Sequence, residues 1–360
     1  MLITSIQELR LASPAHALDS IDGLVGFIDN SEHDFLEDKL GTPLYDALCQ
    51  WYDQNKALRS SVSDYQTGYW NRLLLLAQRC VAFDALGRAI GMQAISVNNA
   101  GINMSIADDY PKADDKAMQT YRDTCTKEAH AALNQLLRQL ERWCKDPLPT
   151  SPSGGESDDD SERSEIVALW KESRYYYLAA ALLIPSCEVL QSYLNIYDSR
   201  EKFIQLLPDL RFIQEEIIAN SIGEDLLKVV IDFARDGKLP ADNPESEGTA
   251  VANSQFSIPN SQLTEPTLIR LVLRLRKVMV ALLVGRTSVL KYDKEKKIQA
   301  HDDGVRMLTN VTEYLKSLVP AEAASQPANP SPALPREGSP TLNSQLSTEN
   351  GAACWTPPIL

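Results

Sequence analysis

The chain is short of what catalysis or metal binding would require. Its 360 residues include only four histidines, His16, His33, His130 and His301. They are scattered, with no cysteine nearby in metal-ligand register, so no zinc spacing is present. The cysteines Cys49, Cys80, Cys125, Cys144, Cys187 and Cys354 form no C-x-x-C pair. Most sit in apolar, helix-like context and read as reduced, buried thiols. There is no G-x-S-x-G elbow. There is no phosphate loop of the G-x-x-x-x-G-K-[ST] type and no G-x-G-x-x-G after a strand. No catalytic set and no cofactor are expected. Positive charge is also short: 35 Lys and Arg face 49 Asp and Glu, a net −14. That imbalance argues against broad binding to nucleic acid or an anionic membrane, since both need a positive surface. The chain opens without the basic leader and apolar core of a signal peptide, and no apolar run is long enough to span a bilayer. The expectation is a protein of a reducing cytoplasm with no membrane partner.

What is present is helical and doubled in pattern. Near the start stand Leu2-Ile3-Thr4-Ser5, Leu9, Leu36, Leu40-Gly41, Leu44 and Leu48. Past the middle stand Leu183-Ile184-Pro185-Ser186, Leu190, Ile218, Ile222-Gly223, Leu226 and Val230. Leu183 lies 181 positions after Leu2 and Gly223 lies 182 after Gly41, so a single residue of slippage separates the blocks. Matching apolar patterns with matching glycines predict a duplicated domain. The expected fold is mainly all-α: two tandem helical-bundle modules, the first with a small β-hairpin.

The first module is assigned to residues 1–145. Ser20 is a candidate cap for a helix through Asn30, and Ser31–Leu40 reads as further helix. Gly41-Thr42-Pro43 breaks it, and Pro43 suits the first turn of the next helix, which carries the stripe Leu44, Leu48, Trp51 and Tyr52. Trp70–Ile90 is apolar on most sides and should lie at the centre of a bundle. Ala94–Val97 and Ile102–Ser105 flank Asn98-Asn99-Ala100-Gly101, a plausible hairpin in which Gly101 supplies positive φ. Asp114–Trp143 closes the module. Residues 146–165, with three prolines, a Gly-Gly pair and an acidic run, read as a disordered linker. The second module is assigned to 166–320. There, Thr267–Leu290 corresponds to Trp70–Ile90, with Arg270-Leu271 matching Arg72-Leu73, and Asp302–Leu318 closes it. Residues 321–360, rich in proline, serine and alanine, read as a disordered tail.

Few polar clusters remain to weigh. His33 and Glu37 share a helix face but lack a third ligand, so no metal site is expected. Asp158-Asp159-Asp160 lacks the glycine turn and distal ligand of a calcium loop. Asp114-Asp115 suits a helix N-terminus. Arg270, Arg274 and Lys277 fall on one face at i, i+4, i+7, followed by Lys294, Lys296 and Lys297. They could meet phosphates, form a solvated face, or meet an acidic partner surface that includes another copy of this chain.

Several first-module segments resemble a known set when taken together: Leu40-Gly41 followed by Leu44-Tyr45-Asp46-Ala47-Leu48, the Ala77-Gln78-Arg79 helix, Ser96–Ile102, and the Asp114–Leu140 helix. They resemble an uncharacterised family common in Bacteroidales and their phages and prophages. That family in turn is similar to the helical head–tail connector, or adaptor, proteins of tailed phages. The resemblance covers most of the first module and, more weakly, the second; connector relatives are usually single modules. It implies a non-enzymatic subunit of a homo-oligomeric ring, docking portal to tail, with DNA passing incidentally, located in a virion or the host cytoplasm. It also implies a docking role for the hairpin residues Ile95, Val97, Asn98, Asn99, Gly101 and Ile102. The alternative is a cytoplasmic helical scaffold or protein-interaction module unrelated to virions.

Overall fold

A computed structural model describes residues 1–13, 18–56, 68–93, 95–98, 101–104, 114–145, 158–173, 176–179, 181–237 and 258–319. Among the described residues the architecture is all-α apart from one short strand pair. Helix α1 (Ile6–Ala12) starts at a reciprocal capping box, in which Ser5 accepts from the Glu8 N–H and Glu8 accepts from the Ser5 N–H. A 3₁₀ turn at Asp22–Leu24 leads into α2 (Val25–Ser31). The chain then widens into a π-helical stretch, Glu32–Glu37, and tightens again as α3 (Asp38–Leu40). Gly41, at φ 82° and ψ 146°, turns it into α4 (Thr42–Asn55), with Pro43 in the first turn. Only glycine occupies that backbone region without strain.

Helix α5 (Tyr69–Gln93) is the apolar central helix, and it packs along α6 (Asp115–Lys145). Between them, strands β1 (Ile95–Asn98) and β2 (Gly101–Met104) pair antiparallel, Ile95 opposite Met104 and Asn98 opposite Gly101. Asn99 and Ala100, expected to form the turn, lie outside the described residues.

Helix α7 (Asp158–Glu172) corrects the linker assignment. Residues 146–157 lie outside the described residues, but 158–165 are helix rather than spacer. Two side chains explain why. Glu162 accepts the Tyr69 N–H at 2.9 Å, satisfying an orphan donor at the start of α5. The Arg163 guanidinium, buried, donates to the Trp143 carbonyl at 2.8 and 3.1 Å, satisfying an orphan acceptor at the end of α6. Behind them Ile166 and Trp170 are fully buried. Composition therefore misled: the acidic run opens a helix that closes two others.

After α7 come α8 (Cys187–Gln191), α9 (Arg200–Phe212), a second π-helical stretch at Ile213–Ile218, and α10 (Ala219–Ile222). Gly223, at φ 88° and ψ 143°, turns the chain into α11 (Glu224–Asp236). The central helix of this half is α12 (Glu265–Arg286), which packs along α13 (Lys294–Ser317). Gly285 of α12 lets α13 come close, since a Cβ there would stand 2.8 Å from the His301 Cβ.

Met1–Val319 forms one compact unit, and a single hydrophobic cluster runs from Leu2 to Leu315. The halves expected as separate modules thus share a core. The expected tail, 321–360, lies outside the described residues. Leu74, Cys80, Val81 and Phe83 of α5 and Leu271, Leu275, Val278 and Leu282 of α12 are all buried. Truncating Leu74 or Leu271 to alanine should lower unfolding stability by about 2–5 kcal/mol in urea titrations. An unchanged midpoint for both variants would remove these helices from the core.

Candidate functional site

A line of polar side chains runs along one face of α6, buried at Glu141 and exposed at His130, Arg138 and Lys145. His130, Asn134, Arg138, Glu141 and Lys145 follow i, i+4, i+8, i+11, i+15 and meet the second half. His130 Nδ1 lies 2.6 Å from Glu201. The Asn134 side-chain oxygen accepts the Arg200 N–H at 3.0 Å. Arg138 lies 3.8 Å from Asp198, and Lys145 3.2 Å from Glu188. At the centre, the Arg200 side chain is fully buried and donates to Glu141 through Nε at 3.3 Å and Nη2 at 3.1 Å. Tyr177 donates to the other Glu141 oxygen at 2.6 Å, and Arg200 Nη1 reaches Asp198 at 2.9 Å. Burial opposes the Arg200 charge, but the Glu141 and Asp198 carboxylates outweigh it and hold the guanidinium protonated. Burial, with Glu141 alongside, keeps the Tyr177 hydroxyl protonated. Tyr197 and Asp198 take up positive φ, 61° and 52°, just before Arg200, a backbone state non-glycine residues rarely adopt.

A second polar device occurs in both halves. Buried Glu32, in the first π-helical stretch, accepts the Leu2 N–H at 2.6 Å and the Tyr45 hydroxyl at 2.9 Å. Gln214, in the second, accepts the Leu183 N–H at 2.9 Å. From the central helices, Gln78 donates to the Leu2 carbonyl and Arg276 to the Leu183 carbonyl, each at 2.7 Å. Buried backbone groups must be paired, and these side chains pair them where no helix can.

The expected interface residues fall on three elements, except Asn99, which lies outside the described residues. Ile95, Val97 and Asn98 are in β1, and Gly101 and Ile102 in β2. Arg270, Arg274 and Lys277 are exposed on α12. The Arg270 and Arg274 guanidiniums stand 5.7 and 4.7 Å from the centroid of the Tyr314 ring on α13. Arg274 and Lys277 border a groove of about 440 Å³ floored by Met307 and Val311. The sequence pattern found the cations but missed the tyrosine and the groove, which lie on another helix. Of the later lysines, Lys297 donates to the Thr287 carbonyl and Lys296 sits over Tyr292, so both are occupied locally.

Among the described residues, no group of three or more His, Cys, Asp or Glu is gathered where it could hold a metal ion, and no helix is long and apolar enough to cross a membrane. Cys49, Cys80, Cys125, Cys144 and Cys187 are unbridged. Burial pushes each thiol up, Cys187 to about 12, so none is a ready nucleophile at neutral pH. His33 is hydrogen-bonded to Glu37 at 2.7 Å, which raises the imidazole and, together with Thr42, lowers the carboxylate. The pair borders an open cleft of about 580 Å³ where Ser173 closes on Gly41.

Two outcomes test the seam. Arg200→Met leaves Glu141 buried without its cation and should cost about 3–5 kcal/mol, while Arg200→Met with Glu141→Leu should recover much of that; urea unfolding of the three proteins measures it. The second concerns His130, whose hydrogen bond to Glu201 raises it above its ordinary value near 6.5 despite partial burial. A raised folded value means the pair's stabilisation is fully present below the ordinary value and lost as pH climbs through the folded one. The stability gap between wild type and Glu201→Gln should therefore be widest in mild acid and shrink above neutrality. A gap that grew with pH would contradict the assignment.

A family model described as a family of unknown function (DUF6712) matches residues 36–158. No curated protein and no solved structure matches the chain. The matched stretch runs from the end of the first π-helical segment through α4, α5, the strand pair and α6, and over it the chain is similar to that family.

Proposed function

We propose that the chain is a non-enzymatic assembly protein, a head–tail connector-like subunit of a phage or prophage that docks a portal or another virion protein. The reading rests on the resemblance of the first-module segments and on one observation in particular. The β1–β2 ribbon interrupts the path between the two helices that make up most of the first half, α5 and α6. A ribbon carried on a rigid helical pair is a suitable docking element, because loops bind while the scaffold holds them. The sequence of the ribbon offers Ile95, Val97 and Ile102 as apolar contacts, with Asn98 and Gly101 paired at its end.

The chain is further read as an internal duplication whose two copies have merged around one core. Support comes from paired features at a nearly constant offset: the serine caps at Ser5 and Ser186, the π-helical stretches holding Glu32 and Gln214, and the Gly41 and Gly223 turns. Self-assembly into a ring then requires side-by-side contacts through non-identical surfaces.

Replacing residues 95–104 by a short glycine turn tests the docking role. Circular dichroism should report an intact helical fold, and co-sedimentation with capsids or purified portal should be lost, since few residues carry most of an interface's energy. Normal folding with retained binding would eliminate the ribbon as the docking element.

A further inference from the structure

Helix α12 presents an unusual stripe. Ile269, Arg270, Leu273, Arg274 and Lys277 follow i, i+1, i+4, i+5, i+8 and are all exposed, with Ile269 and Leu273 at 45% and 46%. Arg270, Arg274 and Lys277 make no ion pair among the described residues, although Arg276 and Arg286 on the same helix are bonded to Leu183 and Asp209. Among the described residues the stripe is therefore cationic and apolar, with two of its cations over the Tyr314 ring and none in an ion pair.

A complementary surface exists on the same chain. Along the turn Asp22–Leu24 and α2, Asp22, Val25 and Asp29 fall at i, i+3, i+7 and are exposed, Val25 at 38%. Asp22 accepts from Ser20, and Asp29 lies 3.8 Å from His33; residues 22–31 contain no lysine or arginine. Seven residues separate Asp22 from Asp29, and seven separate Arg270 from Lys277, roughly 10–12 Å of helix in each case. An apolar residue stands between the charges on both. We propose that the α12 stripe docks on the Asp22–Val25–Asp29 face of a second copy of this chain. Laid antiparallel, Asp22 meets Lys277, Val25 meets Leu273, and Asp29 meets Arg270.

Charge dictates the mode. A cationic stripe cannot face itself across a two-fold axis without like charges in opposition, so the contact joins two different patches and propagates into a ring or a filament. The partner is a protein rather than a phosphate polymer, because phosphates would leave the exposed Ile269 and Leu273 without a favourable contact. The inference rests on the self-assembling part of the connector reading and is independent of what the ribbon docks.

The test is sedimentation equilibrium of the full chain over a range of concentrations, with circular dichroism of each variant. Wild type should self-associate. R270E/R274E/K277E should weaken association about tenfold or more, as should D22K/D29K. Mixing these two variants should restore it, because each carries the complement of the other's altered face. If a charge variant fails to fold, Leu273→Ser and Val25→Ser carry the test, and both should weaken association. A wild type that stays monomeric overturns the proposal and the ring together, leaving ribbon docking to its own assay. A self-associating wild type unaffected by any of these changes overturns the stripe alone. Unchanged self-association with lost binding to a short DNA duplex would make the stripe a nucleic-acid contact and would also overturn it.

Discussion

A guanidinium removed from water must be paired or it destabilises the fold, and the position of Arg200 imposes that constraint on everything around it. Its side chain has no solvent exposure, and its strongest partner, Glu141, is equally enclosed. The two carboxylate oxygens are divided between Arg200 and Tyr177, so the buried charges are compensated and hydrogen-bonded as a set. Such a pair gains little over an apolar substitute but is costly to break. It ties the start of α9 to Glu141 of α6. The flanking contacts, Asn134 to the Arg200 N–H and His130 to Glu201, follow from that arrangement. The positive φ at Tyr197 and Asp198 is the backbone counterpart, held because the chain must deliver Arg200 to Glu141.

The same logic recurs at the chain segments Leu2-Ile3 and Leu183-Ile184. Both are buried and lie outside any helix, so their amides cannot be satisfied within one. A side chain from a π-helical stretch accepts the N–H, and a side chain from the central helix donates to the carbonyl. Widening a helix by one residue in a turn rotates the succeeding turns and directs a side chain inward, which is why such stretches accompany specific contacts. The chemistry differs between halves, Glu32 and Gln78 in one and Gln214 and Arg276 in the other, while the geometry is shared. Glu32 also receives Tyr45, an additional donor suited to a carboxylate.

Local periodicity made the long elements legible. The apolar stretches of α5 and α12, the stripe of α4 and the proline at its start come from side-chain spacing alone. So does the break at Gly41, whose backbone only glycine adopts easily. What periodicity could not supply is pairing across sequence. Nothing near Glu141 marks Arg200 as its partner 59 residues away. Nothing in a polar, acidic run marks Glu162 and Arg163 as the groups that complete the ends of α5 and α6. The linker assignment through residue 165 failed because composition measures average burial, and a helix can be anchored by two side chains and one apolar face. The π-helical stretch inside Ser31–Leu40 reads as plain helix because an inserted residue shifts the phase by less than the pattern's own irregularity.

The candidate surface was legible in half. The spacing of Arg270, Arg274 and Lys277 reflects helical geometry, yet the sequence left open whether they were solvated, phosphate-binding or partner-binding. The structure adds Ile269 and Leu273 to the same stripe and sets Tyr314 beneath the two arginines. An arginine over an aromatic ring is held in place, so it loses less freedom when a carboxylate arrives. Aliphatic groups beside it displace water and strengthen the ion pair they surround. The interior seam thus uses its charges to join the halves, whereas Arg270, Arg274 and Lys277 of α12 remain turned outward. In a chain whose net charge is strongly negative, such a face finds its complement most readily on an acidic helical surface like its own.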